Sequence, residues 1–507
     1  MNSSADCHEI EGCPGLYVDA FRGAFASKTQ NPSCSFILTH YHGDHYSGLA
    51  REGKYQGPAL IHCTPVTAAL LLNVHQVPPH LVAEHEYGTT WTHRIIDSDE
   101  EATISFHDAN HCPGAAMVLI ELPDKTCHLH TGDFRFDHVK MKSYSLLRRA
   151  VEHRNVGVVY LDTTYGHPKH DLIPQHVAVD AIASYVETVI NEKSKTLILL
   201  SCYSIGKEKV LWETSKRCNQ LIYVSEQKHK MLQCVQGEDE SSQILTRCTL
   251  DPSQSDIHVI PMGLAGELWP YFRPNYKACA EYAENLEKSY DTVVAFIPTG
   301  WATASNWNKK NAICRKQMEL VNVEIRLVSY SEHSSFPELC SFVEYLRPRQ
   351  IVPTVFSDEN DRRKIESRFR KLVDTSRAKQ HFFKSMKRTL TETGNRKPVA
   401  PHCVENGVTE VEVIEIDATS PPDAKKWKRL DARSDQLATL RSMGFDSECA
   451  QRSLAKCNGG LEAALEDLLK KPAEKTFPAN KAPDTASDAI NSKSTPTLRD
   501  FFSPKPR

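Results

Sequence analysis

Thr39-His40-Tyr41-His42-Gly43-Asp44-His45 places four metal-ligating side chains within six residues. It follows a short apolar run, Ser35-Phe36-Ile37-Leu38, that reads as a buried strand. Ligands on the loop leaving a strand can converge on one point, whereas a His-rich surface loop would have no partners elsewhere. Partners are present. Asp108-Ala109-Asn110-His111-Cys112-Pro113-Gly114 supplies a distant His in a turn-rich segment, and His128-Leu129-His130-Thr131-Gly132-Asp133-Phe134 ends a strand-like run with Asp after Gly. Imidazole nitrogen and carboxylate oxygen together suit zinc, whose closed structural sites need only four ligands. The surplus carboxylates predict two metals sharing a bridging group, with a position left for water; such a site can lower the pKa of that water and clamp an in-line displacement at phosphorus.

Along the chain, short apolar segments alternate with polar turns from Leu16 to Asp162, for example Ala59-Leu60-Ile61, Ala116-Met117-Val118-Leu119-Ile120 and Val156-Gly157-Val158-Val159-Tyr160-Leu161. These read as core strands of a sandwich, with helices such as Val66 to Asn73 between them. From about His167 the pattern becomes α/β. A helix near Val177 to Ile190 precedes a strand from Thr196 to Leu200, a turn from Ser201 to Gly206 and a helix from Lys207 to Cys218, and strand, turn and helix recur at Leu221 to Lys230.

In this order, His40, His42, Asp44, His45, His111 and Asp133 resemble the metal-ligand set of the metallo-β-lactamase superfamily. Pro14 to Phe21 resembles that fold's opening strand and its structural Asp, here Asp19. Tyr160-Leu161-Asp162-Thr163-Thr164-Tyr165 and Tyr330-Ser331-Glu332-His333-Ser334-Ser335 resemble motifs A and B of the β-CASP branch, whose members cut nucleic acids. Within that branch the chain is similar to the DNA cross-link repair nucleases, the group that includes Apollo and Artemis. Tyr203-Ser204-Ile205-Gly206-Lys207-Glu208-Lys209 and Pro298-Thr299-Gly300-Trp301 resemble the exonuclease members, those of cross-link repair 1A type above all.

The resemblance implies an αββα metallo-β-lactamase sandwich with an inserted β-CASP α/β domain, the sandwich taking residues 1–165 and 324–390 and the insertion 166–323. It implies a catalytic set of Asp44, Asp162 and His333. His333 either donates a proton to the leaving 3′-oxygen, oriented by Asp162, or ligates the second metal. RNA-processing members carry a His at motif C. Here that position is Val355, expected on a buried strand, which cannot ligate. Its absence points to DNA and to a weakly held second ion, Zn2+, Mn2+ or Mg2+, beside a tight Zn2+.

The turn after Leu200 carries two readings. Backbone N–H groups at a helix start attract anions, and Tyr203, Ser204 and Lys207 add hydroxyls and charge. A capped helix with a solvated Lys is the plainer alternative. The resemblance favours a terminal 5′-phosphate. A second basic stretch, Asp361 to Lys371 and Arg377 to Arg388, has Ile365, Phe369 and Leu372 near helical spacing, giving either a solvated face or a contact surface for the DNA backbone.

The net charge of −3 excludes nucleic-acid binding by global charge and requires local patches. Hydrophobic content of 40% and 507 residues are enough for several domains with a sizeable core. No apolar run reaches the length of a membrane span, and the start, Met1 to Cys7, carries no secretory pattern. The 16 Cys contain no C-x-x-C pair, which suits reduced thiols in an intracellular protein.

Beyond residue 390 the composition loosens into a linker, 391–432, with a strand-like interruption at Val411 to Ile416 and a basic cluster, Lys425-Lys426-Trp427-Lys428-Arg429, of the kind that directs nuclear import. Residues 433–471 resemble a ubiquitin-associated (UBA) three-helix module, whose Met443-Gly444-Phe445 loop is the expected ubiquitin contact. Two such apolar side chains in so small a unit would otherwise stand exposed. The polar tail, 472–507, ends in Leu498-Arg499-Asp500-Phe501-Phe502, which resembles a peptide binding the PCNA sliding clamp through Leu498, Phe501 and Phe502. The expectation is a nuclear, metal-dependent 5′-exonuclease acting on DNA with a 5′-phosphate in interstrand cross-link and double-strand break repair. The rivals are an RNA 3′-end processing endonuclease and a catalytically inactive ubiquitin- and PCNA-binding scaffold.

Overall fold

The computed structural model describes residues 7–374, except 50–54, 56, 171, 193–194, 236–239, 269–271, 301 and 303–312, together with residues 455–456. The expected strand at Val411 to Ile416, the import cluster, the Met443-Gly444-Phe445 loop, the clamp-binding peptide, Trp301 and the basic stretch Arg377 to Arg388 lie outside the described residues.

Two sheets face each other. Strands Leu16–Val18, Ser35–Ile37, Leu60–Cys63 and Val82–Glu84 pair in that order, all parallel. The second sheet runs Gln350–Pro353, Val156–Leu161, Cys127–His130, Ala116–Glu121, Glu101–Asp108 and Thr90–Arg94. Its first three strands are parallel and the remainder antiparallel. Along Ala116–Glu121 the two-residue period of a strand sends alternate side chains to opposite faces. Val118 and Ile120 meet Leu16, Val18 and Ile37 between the sheets, while Met117 and Leu119 join the outer layer. Both faces are covered, which is why strands such as Ala116–Glu121 and Val156–Leu161 read as nearly unbroken apolar runs. The helix Pro65–Asn73 covers the first sheet with Ala68, Leu70 and Leu71, and Ser145–Glu152 and Phe336–Leu346 cover the second with Leu147, Ala150, Leu339 and Phe342. The layering is αββα.

The inserted region builds a seven-stranded sheet in the order Cys248–Thr249, Ile222–Tyr223, Ile257–Pro261, Thr196–Cys202, Thr292–Thr299, Asn322–Ser329 and Ile313–Gln317. Every pair is parallel except the last. Helices Gln175–Glu192 and Glu208–Cys218 pack on one face and Tyr276–Glu284 on the other. The return to the sandwich was expected at residue 324. Asn322–Ser329 instead pairs over eight residues with Thr292–Thr299, so the chain leaves this sheet only at Tyr330. Ser335 and Glu338 then form a reciprocal capping box that starts Phe336–Leu346. Val355 also differs from expectation. It lies just past Gln350–Pro353, 42% exposed, because the strand ends before it. Among the described residues no helix is long and apolar enough to cross a membrane.

The loops that carry the quoted motifs leave the carboxyl ends of strands. Ser35–Ile37 leads to His40, Glu101–Asp108 to His111, Cys127–His130 to Asp133, Val156–Leu161 to Asp162, Thr196–Cys202 to Tyr203, and Asn322–Ser329 to His333.

Phe106 is fully buried between the sheets, edge-on to Trp91 at 4.7 Å. Phe106→Ala is expected to destabilise the sandwich by about 3–5 kcal/mol. A melting temperature unchanged from wild type would show that the inter-sheet core is held elsewhere.

Candidate metal centre

Asp19 sits at the end of the strand Leu16–Val18 with a left-handed backbone (φ 51°). That geometry aims its carboxylate at the next loop, where it accepts from the Thr39 N–H at 2.9 Å, the Thr39 hydroxyl at 2.7 Å and His45 Nδ1 at 2.7 Å. The Thr39 hydroxyl has spent its proton on Asp19. It can therefore only accept from His40 Nδ1, 3.0 Å away, which leaves His40 Nε2 bare. His111 Nδ1 donates to the Glu332 carbonyl at 2.9 Å, baring Nε2. His42 is turned round: Nε2 donates to the Ile205 carbonyl at 2.9 Å, baring Nδ1.

The three bare nitrogens converge. His42 Nδ1 lies 3.0 Å from His40 Nε2 and 3.1 Å from His111 Nε2. Three lone pairs aimed at one point repel each other unless a cation lies between them, and neutral imidazole is the ligating form. Burial, reinforced by the neighbouring imidazoles, pushes His40 and His111 well below their ordinary pKa, and burial lowers His42 as well. His40, His42, His111 and Asp133 form one group of donors.

Asp133 is shared. Its Oδ2 lies 3.6 Å from His40 Nε2, 3.8 Å from His111 Nε2, 3.2 Å from His45 Nε2 and 3.9 Å from His333 Nε2. Asp44, His45 and Asp133 form a second donor group, and Asp133, Asp162 and His333 a third. Burial disfavours the Asp133 charge, yet His45 and His333 hold its carboxyl well below the usual carboxylate range. Gly132 precedes it at φ +53°, and a Cβ there would stand 2.9 Å from the Thr39 side chain. A side chain at this position would disturb the Asp19–Thr39–His40 relay.

Asp162 is 1% exposed. It accepts from the Thr164 N–H and hydroxyl at 3.0 and 2.7 Å and from His333 Nδ1 at 2.8 Å. His333 Nε2 therefore faces Asp133. Burial works against an imidazolium at His333, but Asp162 and Asp133 outweigh it and raise its pKa to about 9. Arg135 ties motif B down by donating to the Ser331 carbonyl at 2.7 Å and to Glu338 at 3.1 Å.

The centre opens into a cleft of about 610 Å³ lined by His42, Asp44, His45 and His333 on one side and by Thr164, Thr354, Val355, Tyr203 and Ser204 around it. Tyr203 and Ser204 are exposed there. Lys207 is not in the lining, contrary to a solvated or phosphate-facing lysine. It is 3% exposed, with Nζ 3.8 Å from the centre of the Tyr203 ring. The helix-start amides are also occupied, since Gly206 N–H donates to Glu208 and Lys207 N–H to Glu332. On the outer helix Glu359–Phe369, Ile365 and Phe369 are buried while Arg363 and Lys364 are exposed. The groups that motif reading missed are the carbonyls of Ile205 and Glu332, because a backbone acceptor leaves no mark in residue type.

The family described as DNA repair metallo-beta-lactamase matches residues 242–359, and the UBA/TS-N domain matches residues 433–466. The DNA cross-link repair protein SNM1 of Arabidopsis thaliana is 33% identical over 373 residues, 73% of this chain and 70% of that protein. The DNA ligase 6 of the same plant is 35% identical over 72% of this chain but only 25% of its own length. The DNA cross-link repair 1A protein of Mus musculus is 32% identical over 67% of this chain and 30% of its own. With these matches, and with a donor cluster in keeping with them, the chain belongs to the DNA cross-link repair family of metallo-β-lactamase proteins and carries a UBA domain towards its C-terminus.

Proposed function

We propose that this chain is a zinc-dependent 5′-to-3′ DNA exonuclease that hydrolyses phosphodiester bonds during interstrand cross-link and double-strand break repair in the nucleus. The observation that carries the reading is the Asp133 carboxylate standing within 4 Å of four imidazoles, with His333, held from behind by Asp162, opening on the same cleft. His40, His42, His111 and Asp133 would hold the tighter ion, and Asp44, His45 and Asp133 the weaker one. Bound divalent ions there supply Lewis acidity that activates water and neutralises charge developing on phosphate.

The chain's own residues do the rest. Asp162 fixes the tautomer and orientation of His333, which donates a proton from Nε2 to the leaving 3′-oxygen. Asp44 completes the second donor group. Ser204 and Tyr203, exposed on the cleft wall, offer hydroxyl donors to a terminal 5′-phosphate, while Lys207 lies buried beneath the Tyr203 ring and only supports that ring. Val355 at the cleft offers no ligand, which favours DNA over the RNA-processing pattern. The UBA domain recruits ubiquitin or a ubiquitinated protein through Met443, Gly444 and Phe445. Leu498, Phe501 and Phe502 engage a PCNA-like sliding clamp.

Incubating the protein with 5′-phosphorylated single-stranded DNA, matching RNA and 5′-hydroxyl DNA should give stepwise mononucleotide release from the first substrate, lost on chelation and restored by zinc. Cleavage of RNA alone, or of nothing, overturns the reading. His333→Ala should lower kcat about 10²-fold or more, the usual scale for a lost general acid, while tight zinc content stays at the wild-type level. A metal-loaded variant turning over at the wild-type rate would remove His333 from the mechanism. Met443→Ala should abolish ubiquitin binding by the full chain in a titration, and a wild-type chain that binds no ubiquitin would show that the UBA domain has another partner.

A further inference from the structure

Glu332 belongs to motif B, yet its carboxylate points away from His333 and towards the inserted region. Oε1 accepts the Lys207 N–H at 2.7 Å and lies 3.4 Å from the Tyr330 hydroxyl. Gly206, at φ +110°, is pressed against it, and a Cβ there would meet Glu332 Oε2 at 2.9 Å. From the opposite side the buried Lys228 ammonium donates to the Ser204 carbonyl at 3.1 Å and to Glu208 at 3.0 Å. The segment from Ser204 to Glu208 is thus held by its amides on one side and by a carbonyl on the other. Glu332 and Lys228 are 8% and 6% exposed.

Inside this clamped segment lies Ile205, whose carbonyl accepts His42 Nε2–H and so leaves Nδ1 bare. The other two nitrogen donors take their orientation differently, His40 from Thr39 and Asp19 within the sandwich and His111 from the carbonyl of Glu332 itself. One residue therefore bears on two of the three imidazoles, through its carboxylate for His42 and through its carbonyl for His111. The geometry points to Glu332 as a positioning residue that seats the Ile205-Gly206-Lys207 backbone and thereby sets the tautomer of His42 and the affinity of the metal centre. This rests on the reading of His40, His42, His111 and Asp133 as metal ligands.

Removing a group that orients a ligand typically costs 10- to 100-fold in metal affinity. Glu332→Ala in the full chain should weaken zinc binding at least about tenfold in a competition titration with a chromophoric chelator. It should also alter the visible spectrum of the cobalt-substituted protein, which reports donor geometry. Glu332→Gln keeps a carbonyl oxygen to accept the Lys207 N–H and should restore both readouts to near wild type. Gly206→Ala pushes on the same contact from the other side and should resemble Glu332→Ala, serving as the test if the latter does not fold. A folded Glu332→Ala or Gly206→Ala protein with wild-type zinc affinity and an unchanged cobalt spectrum overturns the assignment. So does a Gln variant as impaired as Ala, since charge and not the accepted hydrogen bond would then matter. Wild-type protein that takes up no zinc overturns the metal-centre reading and this inference together, a result distinct from a Glu332→Ala or Gly206→Ala protein that binds normally.

Discussion

The Asp133 carboxylate imposes the constraint around which the rest of the molecule is arranged. One oxygen faces His40, His45, His111 and His333 at between 3.2 and 3.9 Å, and those imidazoles come from loops on both sheets of the sandwich and from the return out of the insertion. A buried anion is tolerated only when it is compensated. Here the compensation comes from His45 and His333, far apart in sequence, while His40 and His111 turn bare nitrogens to the same point, so the loops must close on Asp133 together. Gly132, which precedes it, packs against Thr39, and Thr39 is in turn tied to Asp19 by two hydrogen bonds.

Much of this was readable from residue order. The cluster His40, His42, Asp44, His45, His111 and Asp133 could be quoted from three short motifs because these side chains carry their chemistry in their identity. The core strands were readable because both sheets are covered on both faces, so apolar runs such as Val156 to Leu161 are continuous. The end of the insertion was not readable. Asn322–Ser329 alternates apolar and polar residues as a strand of either sheet could, and only its pairing with Thr292–Thr299 tells which sheet it joins. Lys207 misled for a related reason. A lysine at a helix start suggests a solvated cation, and nothing local announces that a tyrosine ring and a methionine sulfur enclose it.

The tautomers of the three clustered imidazoles were also invisible in the sequence. Two are set by backbone carbonyls, of Ile205 and Glu332, and one by a hydroxyl whose own proton is committed to Asp19. Such information lives in tertiary structure, and it distinguishes a collection of histidines from a set of lone pairs that share a target. Because the Ile205 carbonyl comes from the inserted sheet's loop, the imidazole cluster of the sandwich and the insertion are parts of one hydrogen-bonded unit.

The backbone at Val355 is fixed by a single neighbour: Thr163 Oγ donates to its carbonyl at 2.6 Å and accepts from its N–H at 3.2 Å. Its side chain meanwhile projects, 42% exposed, into the cleft and outside every packed core. Anchoring and side-chain identity are therefore uncoupled at this position. The side chain there can change without repacking any layer, so what this position presents to the cleft is set independently of the stability of the fold.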